Sequence, residues 1–309
     1  MSDLLGFALR RFGWMLITLW AVYTVSFALM RAVPGNPFSS ERAVPPAIER
    51  QLRARYNLDA PILTQYKDYL VGIVMRGDLG VSIKLEDYTV NEVLAEGFPI
   101  SASLAILALV FALSLGVTAG VVSAVYRGTV ADLALMATAV LGIAIPNFVL
   151  ASLAIWLFVF LIPIFPAAGW GTLQQVALPA LCLGAPVAAY IARLTRAGML
   201  ETLGREHVRT AFAKGLPKRT VILKHVLPGA LLPVVSYLGP ATASVLTGSL
   251  VLEKIFALPG IGSHFIFAAL QRDYTLAMGM VLTYTVLLFI MNSIVDLAYA
   301  IIDPRVDLQ

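Results

Sequence analysis

Stretches without a single charged residue alternate along this chain with shorter charged segments. Phe12 to Met30, Phe98 to Val125, Leu133 to Ala192, Val226 to Leu252 and Tyr274 to Val295 contain no Asp, Glu, Lys or Arg. Hydrocarbon offers no water to backbone amides, so an apolar run of roughly 20 residues crosses a bilayer as a helix that bonds its own N–H and C=O groups. The Leu133–Ala192 run is too long for one crossing. It is interrupted by Pro163-Ile164-Phe165-Pro166-Ala167-Ala168-Gly169-Trp170-Gly171, a turn-rich stretch. The pattern therefore predicts spans near 136–162 and 177–196, which brings the total to six. None of the runs alternates polar and apolar residues as a barrel strand would. The predicted fold class is an all-α membrane protein with six transmembrane helices.

Composition agrees. The chain is 59% hydrophobic and 13% charged, against about 45–50% and about 25% in soluble domains. The first apolar run follows Arg10-Arg11 but exceeds the usual length of a signal-peptide core and lacks a small-x-small cleavage site, so it reads as an uncleaved helix. Cys182 sits between Leu181 and Leu183 and reads as a small buried apolar residue.

The charges orient the chain. Arg10, Arg11, Arg127 and Arg305 fall on one side, together with Arg193, Arg196, Arg205, Arg209, Lys214, Lys218, Arg219 and Lys224 in one loop that holds only Glu201 and Glu206 against them. The positive-inside rule then puts both termini in the cytoplasm. The net charge of +4 is concentrated at these loops and implies contact with membrane lipid, not nucleic acid. Three segments follow: 1–97, the first helix with an extracytoplasmic cap; 98–302, a five-helix core containing the cytoplasmic loop 197–228; and a short cytoplasmic tail, 303–309. The cap is amphipathic from about Ala47 to Leu58 and again near Leu63–Met75. Gly116-x-x-x-Gly120 in the second span has the spacing that lets helices approach closely.

The basic loop contains a short helix, about Arg205 to Lys214. Glu206 opens it and Lys214 closes it, in accord with the helix dipole, and Gly215 followed by Pro217 stops it. Val208, Ala211 and Phe212 share one face. So short a helix is marginal alone in water. An exposed apolar stripe ringed by Arg205, Arg209 and Lys214 suits either a groove on a cytoplasmic partner or an anionic lipid surface.

This loop resembles the cytoplasmic EAA loop of type I ABC importer permeases: Arg209-Thr210-Ala211, then Gly215, then His225-Val226-Leu227-Pro228 keep that pattern's spacings. Arg209, Thr210 and His225 depart from its residues, so the family glutamate's role does not transfer to Arg209. The Arg-Thr-Ala-x-Ala-Lys-Gly-Leu form is similar to the peptide and nickel permease branch. Further blocks resemble the B-type transmembrane subunits of oligopeptide permeases: Met30–Phe38, Tyr56–Asp59, Gln65-Tyr66, Gly77-Asp78-Leu79-Gly80, Leu258-Pro259-Gly260-Ile261-Gly262, Asp273-Tyr274 and Asp303-Pro304-Arg305. The resemblance implies a bacterial inner-membrane protein that imports oligopeptides or dipeptides by alternating access. It implies a homologous second permease subunit, two ABC ATPase subunits that use ATP and Mg, and an extracytoplasmic peptide-binding protein. It places ATPase coupling on Glu206, Val208, Arg209, Thr210, Ala211, Phe212, Lys214, Gly215 and Leu216.

The chain has no Gly-x-x-x-x-Gly-Lys-Ser/Thr phosphate loop, so it is expected to bind no cofactor of its own and to take ATP coupling from a partner. Candidate path residues are the polar ones inside spans: Asn147, Tyr190, Tyr237, Thr242, Ser244, Thr247 and Ser249. A secondary transporter working without an ATPase is the alternative, but it usually carries ionisable groups mid-membrane. Here Asp132, Glu253 and Asp296 lie near span ends, where contact with water accounts for them. His207, His225 and His264 stand apart from one another and from any nucleophile motif, so neither a metal site nor an intramembrane enzyme is expected. A channel filter is not evident.

Overall fold

The charge-free runs become long helices. The computed structural model describes residues 2–32, 50, 58–85 and 87–302. The first run lies within α1, Ser2–Ala32. The second amphipathic stretch of the cap is α2, Ile62–Arg76. Its forerunner from Ala47, with the blocks at 33–38, 56–57 and 303–305, falls largely outside the described residues. Helix α3 is Val90–Val125. It starts on a reciprocal cap, in which the Thr89 backbone N–H donates to Glu92 Oε2 at 2.8 Å and Glu92 N–H donates to Thr89 Oγ1 at 3.2 Å.

The expected single span at 136–162 is broken. Helix α4, Val130–Ala144, and helix α5, Asn147–Ile155, which continues as a π turn over Trp156–Leu161, meet at 110°. Pro146 is the cause. It disfavours helical backbone in the residue before it, and Ile145 is extended at φ −86°, ψ 123°. Counted as one crossing, the pair completes six spans; five single helices are long and apolar enough on their own.

Helix α6, Leu173–Leu203, begins on a Thr172/Gln175 capping box. Helix α7 is Glu206–Ala213. The chain returns through Lys218–Thr220, a π turn at Val221–Val226 and a turn at Leu227–Ala230 before α8, Leu232–Ile255. The fifth span thus starts later than the charge pattern places it. Helices α9, Ile261–Gln271, and α10, Tyr274–Ile302, complete the chain. Among the described residues the only β pairing is an isolated bridge between Val81 and Thr89.

Packing divides the chain into two units, one drawn mainly from residues 1–101 with 259–290, the other mainly from 102–258. In the first, α2 rests on an aromatic core of Tyr23, Phe27, Tyr66 and Tyr69 with Met278 and Leu282. Phe27 and Tyr66 meet edge to face at 5.4 Å. Tyr23 Oη donates to Tyr66 O at 2.7 Å, and Tyr69 Oη donates to Leu79 O at 2.8 Å. Buried Asp273 accepts from Ser82 Oγ, from Lys84 N–H at 3.0 Å and from Leu276 N–H at 3.0 Å, the last bond capping α10. The loop after Gly77–Gly80 is thus tied to Asp273, and Tyr69 Oη reaches both Leu79 O and Thr275 O, so these blocks, remote in sequence, meet in one structure.

In the second unit α3 and α6 touch backbone to backbone. A Cβ on Gly116 would stand 2.6 Å from Ala188 O, and one on Gly120 would stand 2.6 Å from Ala192 O. Only hydrogen fits at either place, which is the close approach the Gly-x-x-x-Gly spacing permits.

Candidate coupling site

Helix α7 folds locally for reasons visible in its residues. Glu206 lies in its first turn, where a carboxylate favours the helix dipole. Its end is a Schellman motif: Gly215 N–H donates to Phe212 O at 2.9 Å and Leu216 N–H donates to Ala211 O at 3.3 Å. Gly215 sits at φ +77° with open space around it. Backbone conformation, not crowding, requires glycine there.

The apolar face of α7 does not lie open, as the sequence pattern suggested. Val208 and Ala211 are buried in a cluster with Ala124 of α3, Met199 of α6, and Val221, Val226 and Ala230 of the return segment; Val121, Val125 and Leu216 pack at its edge. The marginal helix is stabilised by its own chain. Phe212 is the member of the stripe left outside, 44% exposed, with Arg209, Thr210 and Lys214 exposed beside it. His207 Nε2 lies 3.2 Å from His225 O and ties α7 to the π turn. The Arg205–Glu201 pair at 2.7 Å is exposed on both sides and contributes little.

Beneath this cluster is a contact that sequence reasoning missed. Asp132 is only 6% exposed. Its carboxylate accepts two bonds from Arg196, at 2.8 and 2.9 Å, one from Gly128 N–H at 3.0 Å and one from Ser123 Oγ. The fork joins the α3–α4 turn to α6. The assignment of Asp132 and Glu253 to water contact at span ends is corrected, since both are buried. A signal was available: Asp132 lies just before the charge-free run Leu133–Ala192 and Arg196 lies one helical turn past its end, the arrangement of a charge held by a partner across helices.

The candidate path residues separate. The Tyr190 and Tyr237 rings pack at a 30° tilt with centroids 4.3 Å apart, and Tyr190 is 41% exposed. Ser244 and Thr247 are exposed on α8, whereas Thr242 and Ser249 are buried, so the four hydroxyls do not share a face. Thr242, Thr247 and Ser249 donate to carbonyls of their own helix. Asn147 heads α5, and its amide would stand 3.1 Å from a Cβ on Gly248.

The family described as binding-protein-dependent transport system inner membrane component matches residues 116–308, and its N-terminal companion matches residues 4–105. The dipeptide transport system permease protein DppB of Bacillus subtilis is 45% identical over 98% of both chains. The oligopeptide transport system permease protein OppB of Escherichia coli K12 is 44% identical over 98% of this chain and 99% of that one. Among solved structures, the MetNI methionine ABC transporter in inward-facing form gives a TM-score of 0.57 at 17% identity, covering 69% of this chain and 97% of that one. At that identity the likeness speaks for the fold. The secondary-transporter alternative yields to these relationships. The chain belongs to the family of inner-membrane components of binding-protein-dependent transport systems, and is a multi-pass inner-membrane permease of the ABC importer class.

Proposed function

We propose that this permease imports oligopeptides or dipeptides, paired with a homologous second permease, driven by two ATPase subunits docked on α7 and supplied by an extracytoplasmic binding protein. In this reading six spans cross the membrane, counting α4–α5 as one, with both termini in the cytoplasm. The observation that carries it is the seating of α7: Val208 and Ala211 are buried between α3 and α6 while Phe212 and the basic side chains face outward. A push on Phe212 therefore reaches two spans through close-packed atoms. ATP-driven closure of the ATPase pair moves α7, α3 and α6 between two packed arrangements, which is alternating access. Peptide substrate is the reading that the two full-length relatives favour. Exposed Tyr190, Ser244 and Thr247, with half-buried Tyr237 against Tyr190, are the polar groups best placed to line the path, uncharged and so permissive toward varied peptides.

Affinity purification from gently solubilised membranes tests the partner arrangement. An ATPase should co-purify with the wild-type chain and be lost with Phe212→Ala, while insertion is unchanged. An ATPase retained undiminished by Phe212→Ala would remove α7 from this role. Leu85→Cys should be labelled only from outside and Lys218→Cys only from inside; the reverse would overturn the topology.

A further inference from the structure

A cavity of about 440 Å³ opens in the first unit between the last turn of α1, helix α2, the 78–83 loop and the first turns of α10. Its walls carry two cations, Arg31 and Arg76, and two carboxylates, Asp68 and Asp78. Gln65 also lines it, 9% exposed. The Gln65 amide orientation is determined by chemistry: its Nε2 donates to Leu58 O at 3.0 Å and Ala60 O at 2.7 Å, and only an NH₂ can serve two carbonyls. Its Oε1 is thereby committed to the other direction, where it is buried and accepts no hydrogen bond. A buried acceptor left empty is unfavourable, and a small shift of this side chain toward the cavity it lines would let a donor there relieve it.

We propose that this cavity binds the zwitterionic headgroup of a phosphoethanolamine lipid. The primary ammonium carries three N–H donors, enough for Gln65 Oε1 and the two aspartates. The phosphate is an anion for which the two guanidinium groups are fitted donors. A peptide's own termini share this ammonium–oxyanion chemistry. The setting favours lipid. Arg31 closes α1 and Tyr274 opens α10, so the cavity lies at a membrane–water boundary. Val25 and Leu29 on α1, just before the lining Met30 and Arg31, are more than half exposed, as are Val71, Val74 and Met75 on α2. These side chains offer an apolar lane for acyl chains beside a polar socket. The site is independent of α7 and of the transported substrate; under the proposed topology it faces the outer leaflet.

The test uses the purified transporter, stripped of lipid and titrated with phosphatidylethanolamine, phosphatidylcholine or phosphatidylglycerol of identical acyl chains, with bound lipid counted by native mass spectrometry. Half-saturation by the ethanolamine lipid should come at a concentration roughly tenfold below that of the choline lipid, whose nitrogen has no N–H, a ratio worth about 1.4 kcal/mol. Gln65→Leu should reduce that preference to within about twofold, the loss expected when one charge-assisted bond disappears. Because Gln65 also holds Leu58 and Ala60, Asp68→Asn on the exposed rim is the second variant, and it should lower the preference several-fold with partner subunits still co-purifying. Equal retention of ethanolamine and choline lipids by the wild type, or an unchanged preference in both variants, would overturn the site. Displacement of the lipid by micromolar dialanine would assign the cavity to peptide termini and overturn the lipid proposal, while leaving the importer reading intact.

Discussion

Two short amphipathic helices lie outside the spans, and they are seated by opposite means. Helix α2 adds directional bonds to its aromatic core: the Tyr23 and Tyr69 hydroxyls and the Gln65 amide each donate to a backbone carbonyl nearby. Helix α7 is held by area. Val208 and Ala211 bury against side chains of α3, α6 and the return segment, and the His207 contact with His225 O is the side-chain bond that adds to this among the described residues. Hydrogen bonds fix distance and angle and weaken steeply when either is lost. Apolar contact has no preferred direction. The contrast separates a part fixed in place from a part that can tilt under load while staying attached.

The strongest way to test the frame on which α7 rests is at the fork that joins the α3–α4 turn to α6. Arg196→Met leaves Asp132 without its cation and should lower the unfolding temperature more than any other substitution named here. Thermal unfolding of the purified complex reads it out, and Asp132→Asn in the same chain should recover most of the loss. Next, Val208→Ala should cost about 2 kcal/mol by opening a cavity under α7. Tyr69→Phe, which removes one directional bond at α2, should cost about 1 kcal/mol. If the two seats differ as described, Val208→Ala reduces uptake beyond its effect on stability and Tyr69→Phe does not. Gly215→Ala should cost about 1 kcal/mol through its positive φ, and Gly215→Asn less, since asparagine tolerates that region. The smallest effect belongs to Arg205→Ala, expected within about 0.5 kcal/mol because its pair with Glu201 is solvent-exposed. A large loss there would mean that the exposed face of α7 carries stability, and the division between buried and outward faces would fail.

Much of this arrangement is legible in the sequence because the bilayer makes helix position a matter of counting charges. The spans, α7 with its glycine stop, and the Gly116–Gly120 contact all rest on local signals of spacing and residue type. What escaped is non-local. The bend at Pro146 was hidden inside an apolar run, where hydropathy is indifferent to direction. Val208 and Ala211 read as a stripe, but a stripe does not name what covers it; here it is the chain's own α3, α6 and return segment. Asp132 and Arg196 lie far apart in sequence, and each alone looks like an ordinary charge at a span end. Thr242 and Ser249 were grouped with Ser244 and Thr247 by proximity along α8, whereas helical phase turns them to different sides.

The contact between α3 and α6 has a mechanical consequence. With carbonyls lying where a Cβ would be, the two helices cannot slide past each other without lifting apart, so they bend and tilt as one plank. Helix α6 has 31 residues, which at 1.5 Å each gives a beam about 46 Å long. A tilt of about 10° about its middle carries each end roughly 4 Å in opposite directions. A small displacement at the α7 end thus becomes a comparable displacement at the far surface, with no intermediate part needed to relay it.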